Sequence, residues 1–89
     1  MIDFAKYGLS DDDIKFFLEI KDWCINGQSE VSLEYGSYGF CLEPGGQTVQ
    51  VVDATGMVGE YPCFDDLFLH HKIDGKPLIE LIRDLEFGD

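Results

Sequence analysis

The sequence predicts an α+β fold in which a three- to four-stranded antiparallel β-meander is packed by an N-terminal helix and two short C-terminal helices. Segments with helical apolar spacing lie near both ends of the chain, and the segments between them alternate apolar and polar residues. The links between the alternating segments are short and rich in glycine, which suits antiparallel hairpins and leaves no room for parallel crossovers. A chain of 89 residues is expected to form a single domain over residues 1–89.

The first helix is predicted to begin after Ser10 and to run to about Ile25. Ser10 and Asp13, three positions later, form the pattern of a capping box, and three consecutive aspartates suit the positive end of the helix dipole. The Asn-Gly pair after Ile25 is a stop signal. The apolar arc of this helix, which includes Trp23, is wider than one sheet face usually covers. Either a second layer covers the rest of the arc, or part of it faces a partner.

Four segments between the first helix and Pro62 have strand character. Residues 30–35 alternate strictly, and residues 38–42 alternate again after a Gly-Ser turn. Residues 48–52 are rich in β-branched side chains, and residues 57–61 follow another glycine turn. These segments predict the meander.

Two short helices are predicted after Pro62. Residues 64–71 have helical spacing, and residues 72–75, which contain an Asp-Gly pair, form a turn. Pro77 is expected at the first position of the last helix, whose apolar stripe runs from Leu78 to Leu85.

Charge is the strongest global signal in the composition. Eighteen acidic residues against six basic ones give a net charge of −12 and a pI near 4.2. Such a chain repels nucleic-acid phosphates and anionic membranes, so direct nucleic-acid binding and membrane binding are not expected. It attracts basic surfaces and speeds their encounter, so the expected partner is a basic protein.

The sequence also predicts where the protein resides. The first residues are acidic, unlike those of a secretory signal, and no apolar run approaches the roughly 18 residues that a membrane span needs. Three cysteines, an odd number without a CxxC motif, suit a reducing compartment better than a disulfide scaffold. We therefore expect a cytoplasmic protein.

One short segment carries residue types that are typical of a metal or thiol site. Cys63, His70 and His71 suggest, as an alternative function, a small metal- or thiol-dependent enzyme or sensor. Adjacent helical residues point about 100° apart, however, so the two histidines are not expected to share a metal ion. Asp65 and Asp66 would oppose a thiolate at Cys63, so no metal site, cofactor or catalytic residue is predicted. His71 is expected to pack against the core and His70 to be solvated, with imidazolium favoured by the negative end of the helix. All three cysteines are expected to be small buried residues.

Surface binding is the function that the sequence favours. Acidic strand residues beside aromatic side chains suit the capture of a positively charged protein surface. The candidate binding residues are Trp23, Glu30, Glu34, Tyr35, Tyr38, Glu60 and Tyr61.

The predicted function is therefore that of a small acidic, non-enzymatic protein-binding domain. In size, acidity and expected fold class the chain resembles small inhibitor or immunity proteins that neutralise a basic toxin, and also phosphate-mimicking proteins of mobile elements. A third alternative is a structural or assembly subunit, because the wide apolar arc of the first helix is compatible with self-association.

Overall fold

The computed structural model of the chain describes residues 2–88, in which four consecutive strands follow the first helix and a second helix and further short elements complete the order. The helical segments are a 3-10 turn at Phe4–Tyr7, helix α1 at Asp11–Lys21 with a π-helical continuation at Asp22–Asn26, helix α2 at Phe64–His70, and a 3-10 helix at Leu78–Asp84. The strands are β1 at Val31–Tyr35, β2 at Tyr38–Pro44, β3 at Val49–Asp53, β4 at Gly56–Tyr61, β5 at Lys72–Ile73, β6 at Lys76–Pro77 and β7 at Leu85–Phe87.

The predicted start and end of the first helix are confirmed. The Ser10 hydroxyl accepts a hydrogen bond from the Asp13 backbone N–H at 3.2 Å, and the Asp13 carboxylate accepts one from the Ser10 N–H at 2.9 Å. This reciprocal pair is a capping box. At the other end the backbone N–H of Gly27 donates to the Asp22 carbonyl at 2.9 Å, so the last turn is wider than an α-helical turn.

The main sheet contains the predicted meander and one additional strand. Its five strands are all antiparallel and lie in the order β4-β3-β2-β1-β7. The expectation of three to four strands is corrected by β7, in which Leu85 pairs with Tyr35 and Phe87 with Leu33. Leu85 had been predicted to end the last helix. Leu85 is buried in the strand, and an apolar side chain suits the buried side of a helix equally well, so its apolar character does not distinguish the two.

The segment before the last helix also differs from the prediction. Helix α2 ends at His70, and β5 and β6 then form a two-stranded hairpin. Pro77 belongs to β6 and has an extended backbone, with φ −66° and ψ 152°, so it does not open a helix. The expected turn is confirmed, because Asp74 and Gly75 have φ values of 54° and 80°. Two left-handed residues in succession are typical of a tight hairpin turn.

The helices pack on one face of the five-stranded sheet and enclose the core of the described chain. Phe17 of α1 contacts three aromatic rings edge-on, with centroid distances of 5.4 Å to Phe4, 5.4 Å to Phe64 and 5.0 Å to Phe68. Side chains of the sheet's inner face, such as Leu33, belong to the same core. The wide apolar arc of α1 is only partly covered.

The exposed part of that arc lies at two positions. Leu18 and Trp23 each keep 50% of their surface accessible, whereas Phe17, Ile20 and Cys24 are buried. In the part of the chain that the structure describes, no helix combines the length and the apolar character needed to cross a membrane.

Candidate functional site

The side of the main sheet that points away from the helices is an exposed surface formed by all five strands. We call it the outer face; its side chains are those of Ser32, Glu34, Cys41, Glu43, Gln50, Val52, Met57, Glu60 and Glu86. None of these side chains is buried. The outer face is therefore open to a partner.

Carboxylates occupy two opposite sides of the outer face. Glu34 and Glu86 lie directly opposite each other on neighbouring strands, a pairing of like charges that costs free energy. On the other side, Gln50 lies between Glu43 and Glu60. The Gln50 amide donates to the Glu60 carboxylate at 3.1 Å. This bond, with a second one from Thr48, lowers the pKa of Glu60.

A strip of small and apolar side chains runs between the two acidic sides. Cys41 pairs with Ser32 on one side and with Val52 on the other, and Val52 pairs with Met57, which is 58% exposed. A concavity of about 690 Å³ lies over this strip, and Glu34 and Glu43 also line it. Acidic groups around an apolar centre resemble the rim and core of a protein interface.

The basic residues are separated from this surface. All six fall within the described range 2–88, and none belongs to the five strands of the main sheet. They occupy the helices, the N-terminal 3-10 turn and the β5–β6 hairpin, at Lys6, Lys15, Lys21, Lys72, Lys76 and Arg83. The strands that form the outer face thus carry no lysine or arginine.

The candidate binding residues do not form one cluster. Glu34 and Glu60 lie on the outer face, and Glu30, which precedes β1, lines the same concavity as Glu34. Trp23 does not belong to the sheet; it lies at the end of the first helix, where its ring stacks on Phe87.

The three candidate tyrosines belong to the inner side of the sheet, where they pack against the core. Tyr35 has the same strand parity as the buried Leu33, and the Tyr38 and Tyr61 hydroxyls are hydrogen-bonded to other side chains. The outer face itself includes Glu43, Cys41 and Glu86, which the candidate set lacks. Strand parity was the signal that could have separated the two groups, because side chains two positions apart share a face.

A polar cluster occupies the inner side near one end of the sheet. The Tyr38 hydroxyl donates to Asp53 at 2.6 Å, and the Tyr61 hydroxyl and His71 Nδ1 form a hydrogen bond of 2.8 Å. Burial, helped by the bond to Asp53, raises the pKa of Tyr38 to about 12. Hydrogen bonds from the Thr55 side chain and from Tyr38 lower the pKa of Asp53.

His71 differs from the sequence expectation in its protonation. It is buried as expected, and His70 is exposed, but burial lowers the pKa of His71 against the opposing effect of Asp53. The neutral imidazole is therefore favoured, because desolvation outweighs the attraction of the Asp53 carboxylate. His71 also lines a cavity of about 670 Å³ together with Tyr35 and Tyr38.

The cysteines and histidines do not converge. Within residues 2–88, no three His, Cys, Asp or Glu side chains are grouped closely enough to hold a metal ion. Cys63 precedes α2 and His70 and His71 follow at its other end. Only Cys24 is fully buried, with its pKa raised by burial to about 11, whereas Cys41 is partly exposed and Cys63 exposed. The expectation that all three are buried was wrong for Cys41 and Cys63.

His71 makes a prediction about the pH dependence of stability. Its folded-state pKa lies below its ordinary value of 6.5, so the unfolded chain binds the proton more readily. The contribution of His71 to the free energy of unfolding should therefore fall as the pH drops through 6.5, and level off below the folded-state pKa. Between about pH 8 and pH 5.5, the free energy of unfolding measured by urea denaturation should fall further for the natural chain than for His71→Gln. If the free energy of unfolding depended on pH equally in the two proteins, this would contradict a lowered pKa for His71 in the folded state.

No protein-family model, curated protein or solved structure matches this chain.

Proposed function

We propose that this chain is a non-enzymatic protein-binding domain, of the inhibitor or immunity type, that captures a basic protein through its outer face. The observation that carries the proposal is the separation of charge. The main sheet exposes Glu34, Glu43, Glu60 and Glu86, whereas every lysine and arginine lies outside its strands.

The arrangement supplies the two components that such an interface needs. The carboxylates attract a cationic surface over a distance and fix its orientation, which raises the rate of association. The strip through Cys41, Val52 and Met57 provides apolar surface that the partner would bury on docking. A cation placed between Glu34 and Glu86 would also relieve the repulsion between these opposed carboxylates.

The proposal predicts that binding depends on the charge of the outer face. A triple variant, Glu34→Gln/Glu43→Gln/Glu86→Gln, should weaken binding to a partner captured from the native cell by about tenfold, since each rim charge contributes a fraction of a kcal/mol up to about one. The dependence of log Kd on salt should become shallower as well. Isothermal titration calorimetry at two salt concentrations measures both effects.

A matched control removes three negative charges from exposed positions outside the main sheet. Asp74→Asn/Glu80→Gln/Asp84→Asn has the same net charge as the first variant. Its affinity should stay within about twofold of the natural chain. If both triple variants lost the same affinity for the partner, net charge alone would govern binding, and a docking site on the outer face would be refuted.

A further inference from the structure

An exposed aromatic pair lies where the first helix meets the edge of the main sheet. The rings of Trp23 and Phe87 stack with their centroids 5.2 Å apart and an interplanar angle of 28°. Phe16 supports Phe87 from the side at 5.1 Å. Trp23 remains 50% exposed and Phe87 40% exposed. The pair is therefore held in place by the fold while much of its surface stays in water.

The carboxylate of Glu30 lies beside this aromatic pair. Trp23, Glu30, Val31, Ser32, Phe87 and Gly88 line a small cavity of about 390 Å³, which we call the Trp23 notch. Within the described residues, no lysine, arginine or histidine lines this notch. Trp23 also belongs to the last turn of its helix, where backbone carbonyls give a negative potential. The notch thus combines an aromatic surface with negative charge from two sources.

The Trp23 notch is continuous with the outer face. Glu30, Ser32 and Gly88 line both the notch and the concavity over the apolar strip. A partner that covers the outer face would therefore also reach Trp23.

We infer that the Trp23 notch binds an arginine side chain of the basic partner, with its guanidinium against the Trp23 ring and paired with the Glu30 carboxylate. This inference rests on the proposed function and names the chemical group that the partner inserts. A guanidinium is planar and weakly hydrated, so it stacks on an aromatic ring and still pairs with a carboxylate. The ammonium of lysine is more strongly hydrated and makes only a point contact.

Trp23 also provides the measurement, because it is the only tryptophan in the chain. Blocked hexa-arginine and hexa-lysine peptides carry the same charge and would be titrated into the full chain while Trp23 emission is recorded. Hexa-arginine should bind about fivefold more tightly than hexa-lysine and change the emission more strongly. Calorimetry on Trp23→Leu and Glu30→Gln should show this preference reduced to less than about twofold.

Two controls separate the notch from its surroundings. Leu18→Ala alters an equally exposed apolar residue of the same helix, and Glu80→Gln removes an exposed charge outside the main sheet. Both variants should keep the preference for arginine. Circular dichroism and thermal unfolding would verify that each variant is folded.

The outcomes distinguish the inference from the function on which it rests. Equal binding of the two peptides, with no effect of Trp23→Leu, would overturn the notch and leave the outer face as the docking site. No binding of either peptide at low salt would overturn both. Emission that changes with protein concentration alone would identify a second copy of the chain as the occupant, and would also overturn the inference.

Discussion

Replacing Phe17 with alanine is expected to lower the free energy of unfolding by about 3–5 kcal/mol. Phe17 is 1% exposed and contacts the rings of Phe4, Phe64 and Phe68, which come from three different segments of the chain. The substitution removes apolar area from the core and three edge-to-face contacts at once. It also leaves a cavity. The surrounding elements are held in place by other contacts, so they relax into this cavity only partly.

The size of this loss must be compared with the total stability. A domain of this length is stabilised by roughly 5–13 kcal/mol, so Phe17→Ala should remove a quarter or more of that stability. Leu18→Ala is a matched control on the neighbouring residue, because Leu18 is 50% exposed. Its expected loss is below about 1 kcal/mol, since leucine and alanine have similar helix propensities.

Urea denaturation followed by circular dichroism measures both variants. Similar losses for Phe17→Ala and Leu18→Ala would contradict the position of the core. They would also contradict the assignment of the helices to one face of the sheet, on which the openness of the outer face depends.

Local signals were sufficient for the larger part of the fold. The capping box at Ser10 and the tight turn at Asp74 are formed by residues close in sequence, and both were predicted correctly. Strict alternation in β1 likewise identified the meander and the residues that face its core. These features follow from backbone geometry and require no knowledge of distant contacts.

The fifth strand depended on tertiary contacts that the sequence pattern does not contain. Only Leu85, Glu86 and Phe87 form it, and three residues are too few for a period to be recognised. Its partner β1 lies about fifty positions earlier in the chain. Without this strand the stacking of Phe87 on Trp23 was not predictable, and neither was the pairing of Glu86 with Glu34.

The candidate site was only partly predictable for a related reason. The composition indicated an acidic binding surface, and strand parity already placed Tyr35 with Leu33 rather than with Glu34. Selecting residues by type alone combined side chains from both faces. Which face the helices cover becomes evident only from the packing of Phe17 and its neighbours.

Gly59→Ala is expected to destabilise the protein by about 1–3 kcal/mol, although alanine normally suits a strand better than glycine. A Cβ atom at position 59 would lie 2.8 Å from His71 Nδ1 and 2.9 Å from Tyr61 Cε2. Neither side chain moves away freely, because the Tyr61 hydroxyl and His71 are hydrogen-bonded to each other. His71 is also packed at the start of the β5–β6 hairpin and is buried.

Gly39→Ala is the matched control, since Gly39 is a strand glycine with open space around the added Cβ. This substitution should leave stability unchanged or raise it by up to about 1 kcal/mol through the lower entropy of the unfolded chain. The changes in the free energy of unfolding caused by the two substitutions, measured by thermal and urea denaturation, should therefore have opposite signs or differ by at least about 1 kcal/mol. Equal effects would mean that Gly59 is not required for a close approach.

A double-mutant cycle identifies the group that Gly59 accommodates. If the imidazole of His71 is the obstacle, Gly59→Ala should cost less in a His71→Ala background, by about 1 kcal/mol or more. The same cost in both backgrounds would assign the conflict to Tyr61, the other side chain within reach of the added Cβ. A smaller loss of stability in the His71→Ala background would show that position 59 requires glycine because the buried, neutral imidazole of His71 occupies the space that a Cβ atom would need.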